Sequence, residues 1–259
     1  MLRFCNLASG SAGNATLVEA SDGLSRTLVL IDCGLGWRQL AAALARCALT
    51  PDDIDAVFIT HEHGDHVGSA PRLATRHRAA LWTSAGTAEA MRAAGYEGPA
   101  QIARDGQLLS IGALQIRPFT VPHDAREPLQ LRCSDGARDL GILTDLGHVT
   151  PYVLDQLAHC HALMLESNHD PAMLAASRYP PFLKRRVGGA HGHLSNDQAA
   201  AALAHLRHDA LRTVVAAHLS ERNNLPLLAR AALSEALGCA PKDVLVAGRD
   251  GLAEGWLTV

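Results

Sequence analysis

Short apolar runs in this chain end, again and again, on a histidine or a carboxylate. The runs closing on Asp32, His61, His123, Asp145, Glu166 and His218 read as β-strands. A strand is stiff while the loop after it is free to vary, so several strand ends can bring polar side chains to one site. Strand-like runs fall at Leu2–Leu7, Ala15–Ala20, Thr27–Ile31, Ile54–Ile59, Ala80–Thr83, Leu114–Val121, Leu129–Cys133, Leu140–Thr144, Ala162–Glu166, Thr213–Ala217 and Val244–Ala247. Helix-like patterns, with apolar residues spaced by three and four, fall at about Arg38–Arg46, Ala85–Ala94, Pro151–Ala158, Asn196–Arg207 and Leu225–Leu237. Strands cluster in each half with helices between and after them. That order predicts an α/β chain with two sheets face to face and helices outside.

His61-Glu62-His63-Gly64-Asp65-His66 packs four metal-ligand side chains into six residues, directly after the run Ile54–Ile59. In an extended segment side chains alternate faces, so His61 and His63 point the same way. Asp65 and His66 turn elsewhere as the chain leaves the strand, and one stretch can serve two neighbouring ions. Imidazole suits zinc and its first-row neighbours, and a carboxylate helps to hold a second ion. A lone His-x-His pairs by chance on any surface; the whole string after a β-type run points to a dinuclear centre. Such a centre needs further ligands, and His123, Asp145 and His218 stand at later strand ends. Each alone also reads as a hydrogen-bonded histidine or a helix cap.

With 259 residues and 27.4 kDa the chain can bury a large core, as one α/β domain or as two fused halves. No run approaches the ~20 apolar residues of a membrane span, and Met1–Asn6 lacks the apolar core of a secretory signal. A cytoplasmic protein without membrane partners is expected. The six cysteines form no C-x-x-C pair and sit mostly among apolar residues, so packed, reduced thiols are expected. A net charge of −3 gives no global basic field for nucleic acid, and Lys184 and Lys242 are the only lysines. Two bound divalent ions would add about +4 locally and dominate the field there.

The order H-x-H-x-D-H, then His, Asp and His on later strands, resembles the metallo-β-lactamase-fold superfamily. Leu7–Asn14, Leu30–Gly34, Gly141–Gly147, Glu166–Asp170, Gly192–Asn196 and His218–Asn224 are similar to the bacterial YycJ/WalJ-like branch (also VicX-like), related to ribonuclease Z-type nucleases. The resemblance implies a four-layer αββα sandwich with its site at one edge of the sheets. It implies one domain over residues 1–259, made of two similar halves. Glu166 to His193 is too short to hold the clamp (β-CASP) insertion of some relatives. By this resemblance His61, His63 and His123 hold one ion, Asp65, His66 and His218 the other, and Asp145 bridges them. Asp32 would orient a ligand histidine from behind. The ions would be zinc first, with manganese or iron as substitutes.

The same resemblance gives His193 and Glu166 catalytic roles beside Asp65. A hydroxide between the ions would attack phosphorus while His193, oriented by Glu166, assists the leaving group. The plainer reading of His193 is a residue preceding a helix. Ser11, Asn14, Ser195, Asn223 and Asn224 are candidate substrate contacts, though a Gly/Ser turn is more often only a turn. Lys184-Arg185-Arg186 with Arg178 could track a phosphate backbone or be a solvated face.

A metal-dependent phosphodiesterase acting on nucleic acid is therefore expected, DNA before RNA, as an exonuclease, with room for a homo-oligomer. The alternatives are a small-molecule acyl hydrolase of thioesterase or lactamase type, which needs no His193–Glu166 pair, and a metal-binding regulatory protein linked to cell-wall signalling.

Overall fold

The computed structural model describes residues 1–259. In chain order the first half holds β1 (Leu2–Ala8), β2 (Ala15–Ser21), β3 (Arg26–Ile31), α1 (Trp37–Arg46), β4 (Ala56–Ile59), α2 (Gly64–Val67), α3 (Ala70–Arg76), β5 (Ala80–Thr83), α4 (Ala85–Ala93) and β6 (Gln101–Ile102). There follow β7 (Leu109–Ile111), β8 (Leu114–Thr120), β9 (Leu129–Ser134), β10 (Asp139–Leu143), α5 (Pro151–Leu157), β11 (Ala162–Glu166), α6 (Pro171–Ala176), α7 (Pro181–Val187) and α8 (Asn196–Leu206). The chain closes with β12 (Thr213–Ala217), α9 (Pro226–Leu237), β13 (Leu245–Val246) and β14 (Leu257–Thr258). Every strand and helix expected from the sequence is present. The additions are strands of two or three residues and helices of four to seven, too short to display a period.

The strands form two seven-stranded sheets, in the orders β14-β1-β2-β3-β4-β5-β6 and β13-β12-β11-β10-β9-β8-β7. Both follow one pattern. Three antiparallel pairings (β14-β1, β1-β2, β2-β3; β7-β8, β8-β9, β9-β10) lead into three parallel ones (β3-β4, β4-β5, β5-β6; β10-β11, β11-β12, β12-β13).

Parallel strands buried on both faces must be apolar on both. Their alternation divides each strand between two cores. Val29, Ile31, Ala56 and Phe58 face the space between the sheets, with Ala162, Met164, Val215 and Ala217 opposite. The intervening Leu28, Leu30, Val57 and Ile59 pack outward among Leu40, Leu44, Leu73 and Met91 of α1, α3 and α4. Leu163, Leu165, Val214 and Ala216 pack outward among Val153, Leu157, Leu203 and Leu233 of α5, α8 and α9. The layers run helix, sheet, sheet, helix.

Strand direction places the site. β3 and β4 run together, and β1, antiparallel to β2, shares their direction. β10, β11 and β12 run together, with β8 sharing their direction through β9. Asp32, His61, His123, Asp145, Glu166, His218 and the Ser9–Asn14 loop therefore all lie at C-terminal strand ends.

Candidate metal centre

β4 stops at Ile59, Thr60 and His61 continue past it, and His63 is the extended residue that starts α2. Asp65 and His66 ride on the first turn of that helix, and the His66 ring packs 4.0 Å from that of His61. The turn is pinned from below. Asn14 donates its backbone N–H to the Asp65 carbonyl (2.8 Å) and Cys33 donates to the His66 carbonyl (2.8 Å). Gly34 lies so close beneath that any Cβ there would overlap the Asp65 carbonyl. Only glycine fits.

Five imidazoles turn one nitrogen inward. His61 Nε2 lies 3.0 Å from His63 Nδ1, which lies 3.4 Å from His123 Nε2. His66 Nε2 and His218 Nε2 lie 3.7 and 3.8 Å from Asp65 Oδ2. Between the two groups sits Asp145, its Oδ2 3.1 Å from His66 Nε2 and its Oδ1 3.8 Å from His123 Nε2. The ligand-type atoms form overlapping sets within 4.8 Å: His61, His63 and His123; Asp65, His66 and His218; and Asp145 with His61 and His66.

Four outward nitrogens are held by the protein. His66 Nδ1 donates to Asp32 Oδ2 (2.8 Å), and His61 Nδ1 meets Thr60 Oγ1 (3.0 Å). Thr60 itself donates to Asp32 through its hydroxyl and backbone. His123 Nδ1 donates to the Gly192 carbonyl (3.0 Å) and His218 Nδ1 to Glu166 Oε1 (3.0 Å). Such contacts select the tautomer and fix the ring plane of a metal-ligating histidine. Asp32 and His218 reach their places in left-handed conformations, at φ +57° and +55°, a backbone strain borne where these two strands deliver their side chains.

Glu166 does more than partner one histidine. Its Oε1 accepts from both His193 Nδ1 (2.8 Å) and His218 Nδ1 (3.0 Å), while Oε2 accepts the Leu146 and Leu194 backbone N–H groups. One fully buried carboxylate thus ties His193 to the histidine–aspartate cluster.

Charge inside the cluster is arranged by these contacts. Burial and the neighbouring His66 push the His61 pKa well below its usual value. Burial opposes the charged form of His66 as well, but Asp32 and Asp145 outweigh it and hold its pKa well above the ordinary range. Against burial, Asp145 with Asp65 and Glu166 raises His218 to about 10. Glu166 likewise outweighs burial at His193 and raises its pKa. Asp145 is held well below the carboxylate range, because His218 and His66 overcome its burial.

The donor set fits divalent cations. His218 Nε2, buried at its centre, has no hydrogen-bond partner in the protein, and Asp145 Oδ2 meets only another ligand-type atom, His66 Nε2 at 3.1 Å. Stranded buried polar atoms are costly unless something satisfies them, and imidazole with carboxylate is chemistry that suits zinc and its neighbours.

The cluster opens into a cleft of about 400 Å³ lined by Ser11, His63, Asp65, Asp124, Asp145, Arg186, His193 and His218, among others. A larger hollow of about 850 Å³, on the Glu62 and Val67 side of the motif, contains none of the ligand set. Of the five expected substrate contacts, only Ser11 reaches the cleft. Asn14 is buried, with its amide engaged by Gly10 and the Asp65 carbonyl. Ser195 caps α8, its hydroxyl accepting the Gln198 N–H. Asn224 donates to the Ser167 carbonyl and to Asn196, and Asn223 is buried beside Ser220. None of these four lines the cleft: Asn14, Ser195 and Asn224 bond to backbone groups, and Asn223 meets the Ser220 hydroxyl. The basic run is dispersed too: Lys184 donates to the Ala175 carbonyl and Arg186 pairs with Asp124. Thr60 and Asp124 stand beside His61 and His123 in the sequence but carry no motif signal of their own, and Gly192 meets His123 only through folding, across 69 residues. The six cysteines are free, and no helix is long and apolar enough to cross a membrane.

Comparison with known proteins follows the same lines. The family model described as the β-lactamase superfamily domain matches residues 27–219. The exodeoxyribonuclease YycJ of Bacillus anthracis is 33% identical over 239 residues, covering 91% of this chain and 89% of its own length. The exodeoxyribonuclease WalJ of Streptococcus pneumoniae is 31% identical over 232 residues, covering 88% and 85%. Among solved structures, Zn(2+)-bound PqqB from Methylobacterium extorquens superposes with a TM-score of 0.77 at 17% identity, over 99% of this chain and 100% of that one.

Proposed function

Since the chain belongs to the metallo-β-lactamase-fold hydrolases of the β-lactamase superfamily domain, we propose that it is a two-metal phosphodiesterase that degrades DNA from an end. The observation that carries this reading is Glu166 Oε1, shared by His193 at 2.8 Å and His218 at 3.0 Å beside the ligand cluster. Hydrolysis of a thioester or lactam has no need of such a histidine; expulsion of a poor alkoxide leaving group does. Similarity to relatives named exodeoxyribonucleases supports DNA and end-wise attack.

His61, His63 and His123 would hold one cation, Asp65, His66 and His218 the other, with Asp145 between them. Zinc suits this imidazole-rich set, with manganese and iron as alternatives. Bound there, divalent cations supply Lewis acidity, neutralising phosphodiester oxygens and lowering the pKa of water. The protein's own work is positional and protonic. Asp32, Thr60, Gly192 and Glu166 hold the ligand rings from behind. His193 binds Glu166 through Nδ1, which leaves Nε2 as its free nitrogen at the cleft. Glu166 raises the His193 pKa against burial, which favours the protonated ring that would donate to the departing 3′ or 5′ oxygen.

The test is cleavage of end-labelled single- and double-stranded DNA by metal-reconstituted protein, with bis-p-nitrophenyl phosphate and a thioester in parallel. Metal-dependent loss of DNA from one end, abolished in His193→Ala, is the expected result. Thioester turnover that survives this substitution, with DNA intact, would make the protein an acyl hydrolase.

A further inference from the structure

The cleft is acidic apart from its histidines, with Asp65, Asp124 and Asp145 all on its wall. Asp65 and Asp145 face the ligand cluster. A nucleic acid entering here carries a phosphate at every nucleotide, and bound cations can neutralise only those nearest them. Among the lining residues there is a single lysine or arginine, Arg186 on the last turn of α7.

Its setting is built for an anion. Arg186 Nε donates to Asp124 Oδ2 at 2.6 Å. Asp124 Oδ1 lies 3.5 Å from His123 Nε2 and 3.9 Å from His63 Nε2. The guanidinium therefore stands one carboxylate away from the ligand rings. Asp124 uses only Nε, and the two Nη groups make no hydrogen bond within the protein. The side chain is 62% exposed, so this outer edge faces solvent. Two parallel N–H groups on a planar fork match two phosphate oxygens. The other α7 residues on the cleft, Leu183 and Val187, are apolar and do not compete for the anion. Lys184, two positions earlier, is spent on the Ala175 carbonyl.

We propose that Arg186 is a phosphate-binding residue that engages the backbone phosphate adjoining the scissile one, and that Asp124 aims its guanidinium by holding Nε. This rests on the phosphodiesterase reading above. It assigns to one residue the distinction between a polynucleotide, which has a neighbouring phosphate, and a simple diester, which has none.

The experiment compares a short single-stranded oligodeoxynucleotide with bis-p-nitrophenyl phosphate, using metal-loaded wild type, Arg186→Ala and Arg186→Lys. Arg186→Ala is expected to raise KM for the oligonucleotide about tenfold, with kcat far less affected. Its loss on the oligonucleotide should exceed its loss on bis-p-nitrophenyl phosphate by about the same factor. Arg186→Lys should recover only part, because an ammonium keeps the charge without the paired contacts. Anisotropy of a labelled oligonucleotide against salt should show a slope lower by about one in Arg186→Ala. Equal losses on both substrates, or an unchanged oligonucleotide KM and salt slope, would overturn the assignment. A wild type that turns over bis-p-nitrophenyl phosphate or a thioester but no oligonucleotide overturns the nuclease reading itself, and that arm needs no variant.

Discussion

Glu166 holds both His193 and His218, and under the proposed function substitution can separate the two contacts. His193→Ala removes the free imidazole but leaves the Glu166–His218 contact, so it should keep two metals per chain while kcat falls about 10²- to 10⁴-fold. Glu166→Gln weakens the hold on His218 as well, so elemental analysis should show metal lost from one site in addition to the lost rate. Equal metal content in both variants would mean that Glu166 serves His193 alone. A second consequence concerns protons. His218, lifted from 6.5 to about 10, is charged in the metal-free protein at neutral pH. Its folded pKa exceeds its unfolded one, so this contribution to stability is complete below about pH 6.5 and is lost as pH rises through about 10. Under the proposed function, a cation bound through His218 would displace that proton. Metal loading at pH 7.5 should therefore release protons, read by calorimetry as a heat that changes with the ionisation enthalpy of the buffer.

At the scale of elements, legibility followed length and local pattern. Ala80–Thr83, Ala162–Glu166 and Thr213–Ala217 emerge with the boundaries expected of them, because strands buried on both faces read as unbroken apolar runs. The short α6 and α7 left no such trace, and α7 is the element that roofs the cleft and carries Arg186. Ser195 shows how a polar residue near a site can carry a structural role that a motif does not announce. Gly192–Asn196 suggested a substrate contact, yet Ser195 and Gln198 form a reciprocal cap on α8. Ser195→Ala should cost about 1 kcal/mol, lowering Tm by roughly 2–4 °C, with KM for DNA unchanged. A raised KM at unchanged Tm would return Ser195 to the substrate.

For the molecule as a whole, we propose that residues 1–259 form one cooperative unit. The first sheet supports this: β14, from the end of the chain, pairs with β1 at Arg3–Thr258 and Phe4–Leu257, and Arg3 stacks 4.4 Å over Trp256. Removing residues 256–259 would bare the β1 edge and uncover part of the core between the sheets. We expect the shortened chain to unfold in a single transition about 2 kcal/mol less stable, roughly 4–8 °C lower; two separate transitions would instead mean independent halves. The amino-acid sequence by itself determined the layered α/β plan and pointed to the candidate ligand set. Burial imposes a two-residue alternation on strands, and H-x-H-x-D-H encodes its geometry locally, within one turn of chain. Only the tertiary structure decided the pairings around that set. Glu166 reaches His218 across 52 residues and Ser9 holds the His218 backbone across 209, distances at which no local pattern survives and packing alone chooses the partner.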